Sequence, residues 1–424
     1  MGVSLAFHIV FASLGVGLPI FLLVAEYLGI RRKDEVWMDL AHRWAKAFSL
    51  LFAVGAVSGT VLSFSLGLFW PGLMGRFGSV VGLSFSLEAF AFFLEAIFLG
   101  IYLYGWQRLS PWKHWMSGIP IAVSGAASAW FVVTVNAWFQ TPAGFVLNTS
   151  GKVSAVSPWH AMFNRSTPVM TAHMLIAAYM ATGLMIASVY AAGMLRGRRD
   201  PSHRRALALG LTVGLVLAPV QIVVGDMAAR LVARTQPVKL AAMESQWITQ
   251  HGAPLHLGGI PIPSEHRTIF VVEIPKGLSL IAYGDPNATV TGLDSVPPDL
   301  QPNTIIVHIA FQLMVVIGFA LGGLGIWALV SWRRHRALPD RRGFLRLVLV
   351  AGPAAFVAIE AGWMVTELGR QPWLVEGYLK TKDAVTSRGG IGWDLLVTVA
   401  IYVALGVTCS LLLLRLARVA REKT

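Results

Sequence analysis

The segment LVLVAGPAAFVAIEAGWMVTELGRQPW, residues 347–373, contains the pattern that decides the fold class of this chain. Its apolar run covers about 344–366 and is long enough to cross a bilayer as a helix, which takes roughly 20 residues. The run ends at Glu367 and is followed by Arg370 and Pro372. A carboxylate at the end of a membrane helix is costly unless a partner offsets its charge. The segment therefore predicts a membrane helix with a functional group at its end, although an interfacial Glu–Arg cap would also fit it.

The composition of the whole chain extends this interpretation. The chain is 55% hydrophobic and 13% charged, with a mean hydropathy of +0.65, whereas soluble domains average about 25% charged residues. The formal charge of +13 is carried in short loops between apolar runs, which is typical of topology signals rather than of a nucleic-acid interface. Cys409 is the only cysteine, which excludes an internal disulfide, a cysteine-ligated iron–sulfur cluster and a CxxCH haem attachment.

Nine apolar runs are long enough to span a membrane, and they predict an all-α polytopic bundle. They lie at about 3–30, 46–68, 80–105, 118–138, 168–194, 206–230, 303–332, 344–366 and 392–416. The predicted organisation is six helices in 1–230, a connecting segment in 231–302 and three helices in 303–424.

The loops predict the orientation of the bundle. Most of the 34 Lys and Arg follow the first, third, fifth and seventh runs or lie in the C-terminal tail. Basic loops face the cytoplasm, so the N-terminus is expected outside and the C-terminus inside. The segment 231–302 is then external, and loops of this length are usually functional or disordered. Its LAAMESQW stretch, 240–247, predicts a short helix and its TIFVVEI stretch, 268–274, predicts a strand, so we interpret it as a binding segment.

Ionisable side chains inside membrane spans are expensive and mark partners or cavities. Four potential iron ligands, His8, His173, Met314 and Glu367, are expected in the outer half of the bundle. Singly, each has an ordinary explanation, because a lone histidine often serves packing and a methionine usually fills space. Together they suggest haem, because imidazole with thioether gives a six-coordinate electron carrier. A lone axial ligand would leave the other iron face open for dioxygen.

Other polar side chains in or beside the spans are less diagnostic. Glu88 and Glu95 are seven residues apart, so they share one helix face. That spacing fits a proton path, but it also fits two independent interhelical hydrogen bonds. The remaining members of this group are Glu26, Asn136, Gln221, Asp226, His308, Gln312 and Glu360. The histidines in the spans are too few for a haem–copper oxidase.

Six stretches of the chain carry a family resemblance. They are FFLEAIFLGIYLYGWQRL (92–109), TAHMLIAAYMATG (171–183), KLAAMESQW (239–247), FQLMVVIGF (311–319), GWMVTE (362–367) and GRQPW (369–373). Together these stretches resemble subunit I of cytochrome bd-type quinol oxidases, in the order of that family and across nearly the whole chain. The short external segment is similar to that of the short-loop, cyanide-insensitive branch.

The resemblance implies haem ligands. His173 and Met314 match the axial pair of a low-spin haem b. His8 and Glu367 match the ligands of two high-spin haems, expected to be a haem b and a haem d, or a second haem b in its place. Which ligand serves which haem stays open, and Gln312, where several relatives carry arginine, predicts a lower reduction potential at the low-spin haem.

The resemblance also implies roles for six further residues. Glu88 and Glu95 match acidic residues that deliver protons or stabilise haem charge, and Trp363 matches an aromatic residue between haems. Arg370 matches a basic residue near haem propionates. Lys239 and Glu244 match the quinol-binding pair of the external loop, although from the residues alone a solvent-facing pair on a surface helix would be preferred.

The expected function is a haem-containing quinol:oxygen oxidoreductase of a respiratory chain in the bacterial cytoplasmic (inner) membrane. It would oxidise quinol at the outer face, reduce dioxygen to water and separate charge electrogenically. Expected partners are membrane lipid, a second helical subunit (subunit II) and, as a further option, a small accessory subunit. Two alternatives stay open: an ion-coupled transporter that uses Glu88, Glu95 and Asp226, and a related haem electron-transfer subunit without oxidase activity.

Overall fold

The computed structural model describes residues 2–422, and within this range nine helices are long and apolar enough to cross a membrane. They are α1 (Gly2–Arg32), α2 (Glu35–Phe69), α3 (Pro71–Gly105), α4 (Pro111–Gln140), α6 (Thr167–Leu195), α7 (Pro201–Thr235), α10 (Thr304–His335), α11 (Arg342–Leu368) and α13 (Ile391–Glu422). The predicted all-α polytopic fold is confirmed.

Shorter elements lie between these spans. The short helices are α5 (Pro158–Met162), α8 (Pro237–Met243), α9 (Gly277–Tyr283) and α12 (Thr381–Ala384). The strands are β1 (Val146–Leu147), β2 (Val153–Ser154), β3 (Gln250–His251), β4 (Leu255–Ile262), β5 (Arg267–Ile274), β6 (Thr289–Val290), β7 (Trp373–Val375) and β8 (Leu379–Lys380). They pair as two-stranded antiparallel ladders, β1 with β2, β3 with β6, β4 with β5 and β7 with β8.

Several helices begin earlier than the hydropathy pattern predicts. The helix α2 starts at Glu35 rather than near 46, and α7 starts at Pro201 rather than near 206. The Asp34 carboxylate accepts a hydrogen bond from Val36 N at 3.0 Å, and Asp200 accepts one from His203 N at 3.1 Å. These N-caps start each helix in polar sequence before the apolar run begins, so polar first turns extend the helices beyond the membrane.

Close backbone contact holds the centre of the bundle together. The helices α6 and α7 cross at Gly183 and Gly210, where a Cβ added to Gly183 would lie 2.8 Å from the Gly210 carbonyl oxygen. Small residues at such a crossing allow tight van der Waals packing, which drives helix association in lipid. Around this contact, Leu184 and Leu211 are fully buried in a core shared with α10 and α11.

The connecting segment 231–302 folds onto the ends of the helices rather than forming a spacer. The helix α8 packs against α7 and α10, and β4 lies along α10. The expected helix in 240–247 overlaps α8, and the expected strand in 268–274 lies within β5. The division into 1–230, 231–302 and 303–424 stays a prediction, but this packing brings residues of the segment to the end of α11.

Candidate functional site

The end of α11 carries a polar junction around Glu367, whose side chain is partly exposed. Arg370 Nη2 donates to Glu367 Oε2 at 2.8 Å, and Asn136 Nδ2 on α4 donates to Glu367 Oε1. The Arg370 side chain is 1% exposed and its guanidinium lies 5.1 Å from the centre of the Phe139 ring. Its Nη1 atom has no hydrogen-bond partner among the described residues. The junction therefore holds a fixed positive group with one donor still available, beside a carboxylate.

Local sequence explains why this junction is so tight. Gly369 caps α11 by donating its N–H to Val365 O at 3.0 Å. A Cβ at Gly369 would lie 3.0 Å from Lys239 Cγ, so glycine is what allows Lys239 to approach. Pro372 cannot continue the helix, and Trp373 N closes a turn on Arg370 O at 3.0 Å. The chain then reverses through β7 and β8.

Lys239 enters this junction from α8. Its Nζ donates to Gln140 Oε1 at 3.0 Å and to Thr366 O at 3.4 Å, and the residue is 5% exposed. Burial, assisted by the positive charge of Arg370, lowers the pKa of Lys239 to about 7. The alternative of a solvent-facing side chain is therefore wrong for Lys239, which hydrogen-bonds to the residue that precedes Glu367.

Glu244 lies at the C-terminal end of the same short helix and is also buried. Burial raises the pKa of its carboxyl to about 8. Its Oε2 atom has no hydrogen-bond partner among the described residues, and His256 Nδ1 lies 2.7 Å from its backbone oxygen. A carboxyl that titrates near neutral pH with a free oxygen is suited to exchange a proton with a bound molecule.

Sequence reasoning missed two members of this region, Gln140 and Glu376. Glu376 accepts a hydrogen bond from Gln236 Nε2 at 3.1 Å, and burial raises the pKa of its carboxyl. It follows β7, in a loop whose sequence contains no sign that it folds back over Lys239. Gln140 is the last residue of α4, where an amide has an ordinary interfacial explanation.

His8 lies on α1 against α2. Its Nδ1 atom is 3.0 Å from Ser58 Oγ. A Cβ at Gly59 would lie 3.0 Å from His8 Cε1. The hydroxyl orients the ring and the glycine leaves space beside it, which is what an imidazole ligand needs for its second nitrogen to reach a metal.

His173 and Met314 likewise each have a potential ligand atom beside a glycine of a neighbouring helix. Gln221 Nε2 lies 3.2 Å from His173 Nδ1, and a Cβ at Gly225 would lie 3.5 Å from the ring. A Cβ at Gly362, which precedes Trp363, would lie 3.0 Å from Met314 Sδ. Trp363 is partly buried against the core of α6, α7, α10 and α11.

Glu88 and Glu95 lie on α3 and face α4. Ser128 Oγ donates to Glu88 Oε1 at 3.3 Å. Glu95 is buried, and a Cβ at Gly125 would lie 3.0 Å from its Oε1. The two carboxyls share one helix interface, and both the proton path and the two independent contacts remain compatible with this placement.

Some of these candidate residues lie in contact with one another and others do not. Glu367, Arg370 and Lys239 meet in one junction, whereas His8, His173 and Met314 each occupy a separate helix contact. Within residues 2–422, no group of three or more His, Cys, Asp or Glu side chains is close enough to hold a single metal ion. The imidazole, thioether and carboxylate ligands lie apart from one another, and each lies beside a glycine or beside Arg370. Such separate ligands fit haem as the bound group.

A second buried cluster was not predicted. Near the opposite end of the bundle, Tyr102 donates its hydroxyl to Glu26 Oε2 at 2.6 Å, and His114 Nδ1 lies 2.6 Å from Glu26 Oε1. His114 Nε2 lies 2.8 Å from Tyr102 O. The sequence signal for this cluster was Glu26, a carboxylate inside the first span; His114 lies in the polar first turn of α4, outside the predicted spans.

Nine spans within residues 2–422, with separate iron-type ligands at the contacts between helices, define a membrane redox protein of the haem-binding class. The family model described as cytochrome bd terminal oxidase subunit I matches residues 1–421. The chain belongs to this family. The predicted resemblance is thus confirmed, and the family implies haem cofactors.

Individual relatives agree with this assignment. The chain is 38% identical over 419 residues to a Bacillus subtilis (strain 168) protein provisionally named cytochrome bd menaquinol oxidase subunit I, covering 97% of this chain and 94% of the relative. It is 27% identical over 467 residues to the cytochrome bd-II ubiquinol oxidase subunit 1 of Escherichia coli (strain K12), covering 93% and 90%. The solved structure of bd oxidase from Geobacillus thermodenitrificans matches with a TM-score of 0.91 and 38% identity, covering 98% of this chain and 96% of that one.

The family assignment decides between the predicted functions. The predictions of a terminal quinol oxidase subunit, of an enzyme and of a multi-pass protein of the bacterial inner membrane are confirmed. The family favours the oxidase over the transporter and over the electron-transfer subunit without oxidase activity.

Proposed function

We propose that this chain binds quinol between α8 and the end of α11, and passes its electrons through bound haem to dioxygen, which is reduced to water. The observation that carries this proposal is the hydrogen bond of Lys239 to Thr366 O, because Lys239 belongs to the segment 231–302 and Thr366 precedes Glu367. The quinol oxidase names of the relatives support the same substrate class.

Four residues would hold the haem irons. His173 and Met314 would ligate a low-spin haem b, and His8 and Glu367 would each ligate a high-spin haem, one of type b and the other of type d or b. Arg370, with Nη1 free, would bind a propionate in its planar fork, and Trp363 would lie between haems. Bound haem supplies the one-electron carriers and the iron at which dioxygen reacts.

Glu244 and Lys239 would handle the charges that quinol oxidation creates. A quinol gives up two electrons and two protons. Glu244 in its ionised form would accept a proton, since its pKa of about 8 lies close to the operating pH. Lys239 in its charged form would stabilise the developing quinol anion. Its low exposure keeps water from screening that interaction.

Glu88 and Glu95 would bring protons to the oxygen site along the α3–α4 interface. With the N-terminus outside and the C-terminus in the cytoplasm, protons released at the quinol site would leave on the outer side, and those consumed would come from the cytoplasm. Charge separation would then follow without a pump. A second helical subunit, subunit II, would pack against the lipid-facing helices, with a small accessory subunit as a further partner.

The test is quinol-dependent oxygen uptake by the purified complex in liposomes, together with extracted-haem analysis and a membrane-potential dye. We expect uptake, a potential and two haem types including a chlorin; haem b alone would indicate a variant with haem b at the oxygen site. The Glu244→Ala variant should lose uptake while keeping its haem absorption. Absence of haem, or full uptake in Glu244→Ala, would contradict the proposal.

A further inference from the structure

The hairpin formed by β4 and β5 exposes a continuous set of apolar side chains. Leu257 faces Val272 across the ladder, and Leu255 faces Ile274 two positions away on the same side. The exposed side chains are Leu257 (45%), Phe270 (85%), Val272 (63%) and Ile274 (43%), which together we call the hairpin apolar face. An exposed apolar patch in a segment that also carries charges usually marks a contact surface.

Hydrogen bonds to α10 fix the height of this hairpin in the membrane. Gly258 N donates to Gln312 Oε1 at 3.1 Å, and Gln312 Nε2 donates to His256 O at 2.9 Å. Gln312 lies 20 residues before Trp332, an exposed aromatic residue at the basic end of α10. At a rise of about 1.5 Å per residue this is roughly 30 Å, the thickness of the hydrocarbon core. Because tryptophan marks the membrane interface, the base of the hairpin lies at the opposite edge of that core.

The hairpin changes in polarity along its length. His308 Nε2, one turn closer than Gln312 to the start of α10, lies 3.0 Å from Gly258 O. The strand β4 therefore runs away from the hydrocarbon core as residue numbers increase. Its turn carries an exposed ion pair between Glu265 and Arg267. Near the base, Val272 and Ile274 thus alternate with the exposed Glu273, so one face is apolar there and the other is charged, while the tip carries an ion pair.

Backbone hydrogen bonding limits how deep the hairpin can lie. Among the described residues, β5 has β4 as its only strand partner, so one edge of the ladder is open. An open sheet edge is not tolerated in hydrocarbon, because its N–H and C=O groups would be unsatisfied. Headgroups and interfacial water can satisfy them. The hairpin can therefore lie no deeper than the interface.

We propose that the hairpin apolar face contacts the lipid acyl chains of the leaflet at the N-terminal end of α10, so that part of the external segment is embedded in the membrane interface. Lipid is favoured as the occupant because the apolar surface continues onto α10. The exposed side chains that carry it into the hydrocarbon core are Leu313 and Val316, which lie just past Gln312 on α10. A span exposed along one side in this way has lipid as its ordinary neighbour.

The proposal can be tested with a spin label on the assembled complex in nanodiscs. The single cysteine, Cys409, is buried and would be replaced in a Cys409→Ser background. The nitroxide would be attached in Val272→Cys on the hairpin apolar face and, as the matched control on the same hairpin, in Ser264→Cys at the tip. Relaxation by dioxygen, which partitions into lipid, is compared with relaxation by a water-soluble nickel chelate. Haem absorption and oxygen uptake would verify that each labelled complex is folded.

We expect the label at 272 to respond at least several-fold more to dioxygen than to the nickel chelate, and the label at 264 to show the reverse order. Equal, nickel-dominated relaxation at both positions would place the hairpin in water and overturn the proposal. An immobilised label at 272 that neither reagent reaches would overturn it too, since a protein partner or a second copy would then cover this face.

Discussion

Two polar clusters in this bundle, each built around a glutamate, differ in how completely they are hydrogen-bonded. In the cluster of Glu26, Tyr102 and His114, both carboxylate oxygens, the phenol and both ring nitrogens have partners. Around Glu367, Arg370 Nη1 and Asn136 Oδ1 have none among the described residues. Buried polar atoms in native proteins are nearly always paired.

Hydrogen bonding can distinguish a structural polar cluster from a binding site in a membrane protein. A fully paired cluster offsets its own burial and leaves no group free to bind anything. A cluster with free donors and acceptors is stable only when a further group completes it. By this criterion the Glu26 cluster ties α1, α3 and α4 together, and we expect a cofactor to bind at the Glu367 junction.

The largest effects are expected when the central carboxylate of each cluster is removed. We expect Glu367→Ala to lower quinol-dependent oxygen uptake by about 100-fold or more, the upper end of losses seen when metal-site partners are removed, and to change the high-spin haem absorption. We expect Glu26→Ala to keep haem absorption and uptake per folded complex, but to lower stability by about 3–5 kcal/mol, the cost of breaking a buried pair. Oxygen uptake, haem spectra and thermal unfolding measure the two effects.

A reversed pattern would defeat the comparison. If Glu26→Ala kept its stability and haem but lost uptake, the Glu26 cluster would take part in the reaction, most simply by transferring protons. If Glu367→Ala kept its haem spectrum, Glu367 would be an interfacial cap rather than a ligand.

The second prediction concerns pH and the free oxygen of Glu244. The folded-state pKa of about 8 means that Glu244 is protonated at pH 7 and ionises as the pH rises through 8. If ionised Glu244 accepts the quinol proton while charged Lys239, with a pKa of about 7, stabilises the anion, kcat/KM for quinol should rise with pH by up to tenfold per unit up to about pH 7. It should level off between about pH 7 and 8 and fall above pH 8, where Lys239 has lost its charge. In Glu244→Gln this ascending limb should disappear, with haem absorption unchanged.

The matched control for this experiment is Glu273→Gln. Glu273 lies on β5, near the same histidine as Glu244, but its side chain is exposed. The control should keep the wild-type pH profile. An ascending limb that survives in Glu244→Gln would assign the proton acceptor to another group, with Glu376 as the next carboxyl to replace.

The third prediction concerns the Glu367 junction and removes only a hydrogen bond that orients Glu367. Asn136→Leu keeps the volume of the side chain but removes the donor to Glu367. We expect roughly a tenfold loss of uptake and a shift of the high-spin absorption, as is typical when a partner of a metal ligand is lost. The control is Thr134→Val on the same helix as Asn136, which removes a hydroxyl that donates to Ser84 on α3. Equal effects of the two variants would mean that Asn136 serves packing alone.

Much of this molecule could be predicted from sequence, because the bilayer restricts what a chain can do. Backbone groups in lipid must be paired within a helix, so each of the nine apolar runs corresponds to a long helix within residues 2–422. Polar residues in such runs are rare, which is why Glu367 and His173 stood out. The positions of Lys239, Gln140 and Glu376 could not be predicted, because they depend on how two connecting segments fold over the end of α11. A lone lysine on a short helix gives no sign in sequence that its own side chain will be buried.

The smallest predicted effect tests whether glycine clears the space beside a haem ligand. In Gly362→Ala the new methyl would lie 3.0 Å from Met314 Sδ, tighter than ordinary contact, so the thioether must move. We expect a shift in the low-spin haem absorption and midpoint potential, with uptake reduced by no more than about fivefold, because a displaced axial ligand changes the potential before it stops electron transfer. Gly343→Ala on the same helix is the control, because no atom lies within 4 Å of its added Cβ, and alanine is intrinsically the better helix former. If the two substitutions leave identical low-spin spectra, Met314 does not ligate the haem from this side of α10, and the glycine serves helix packing.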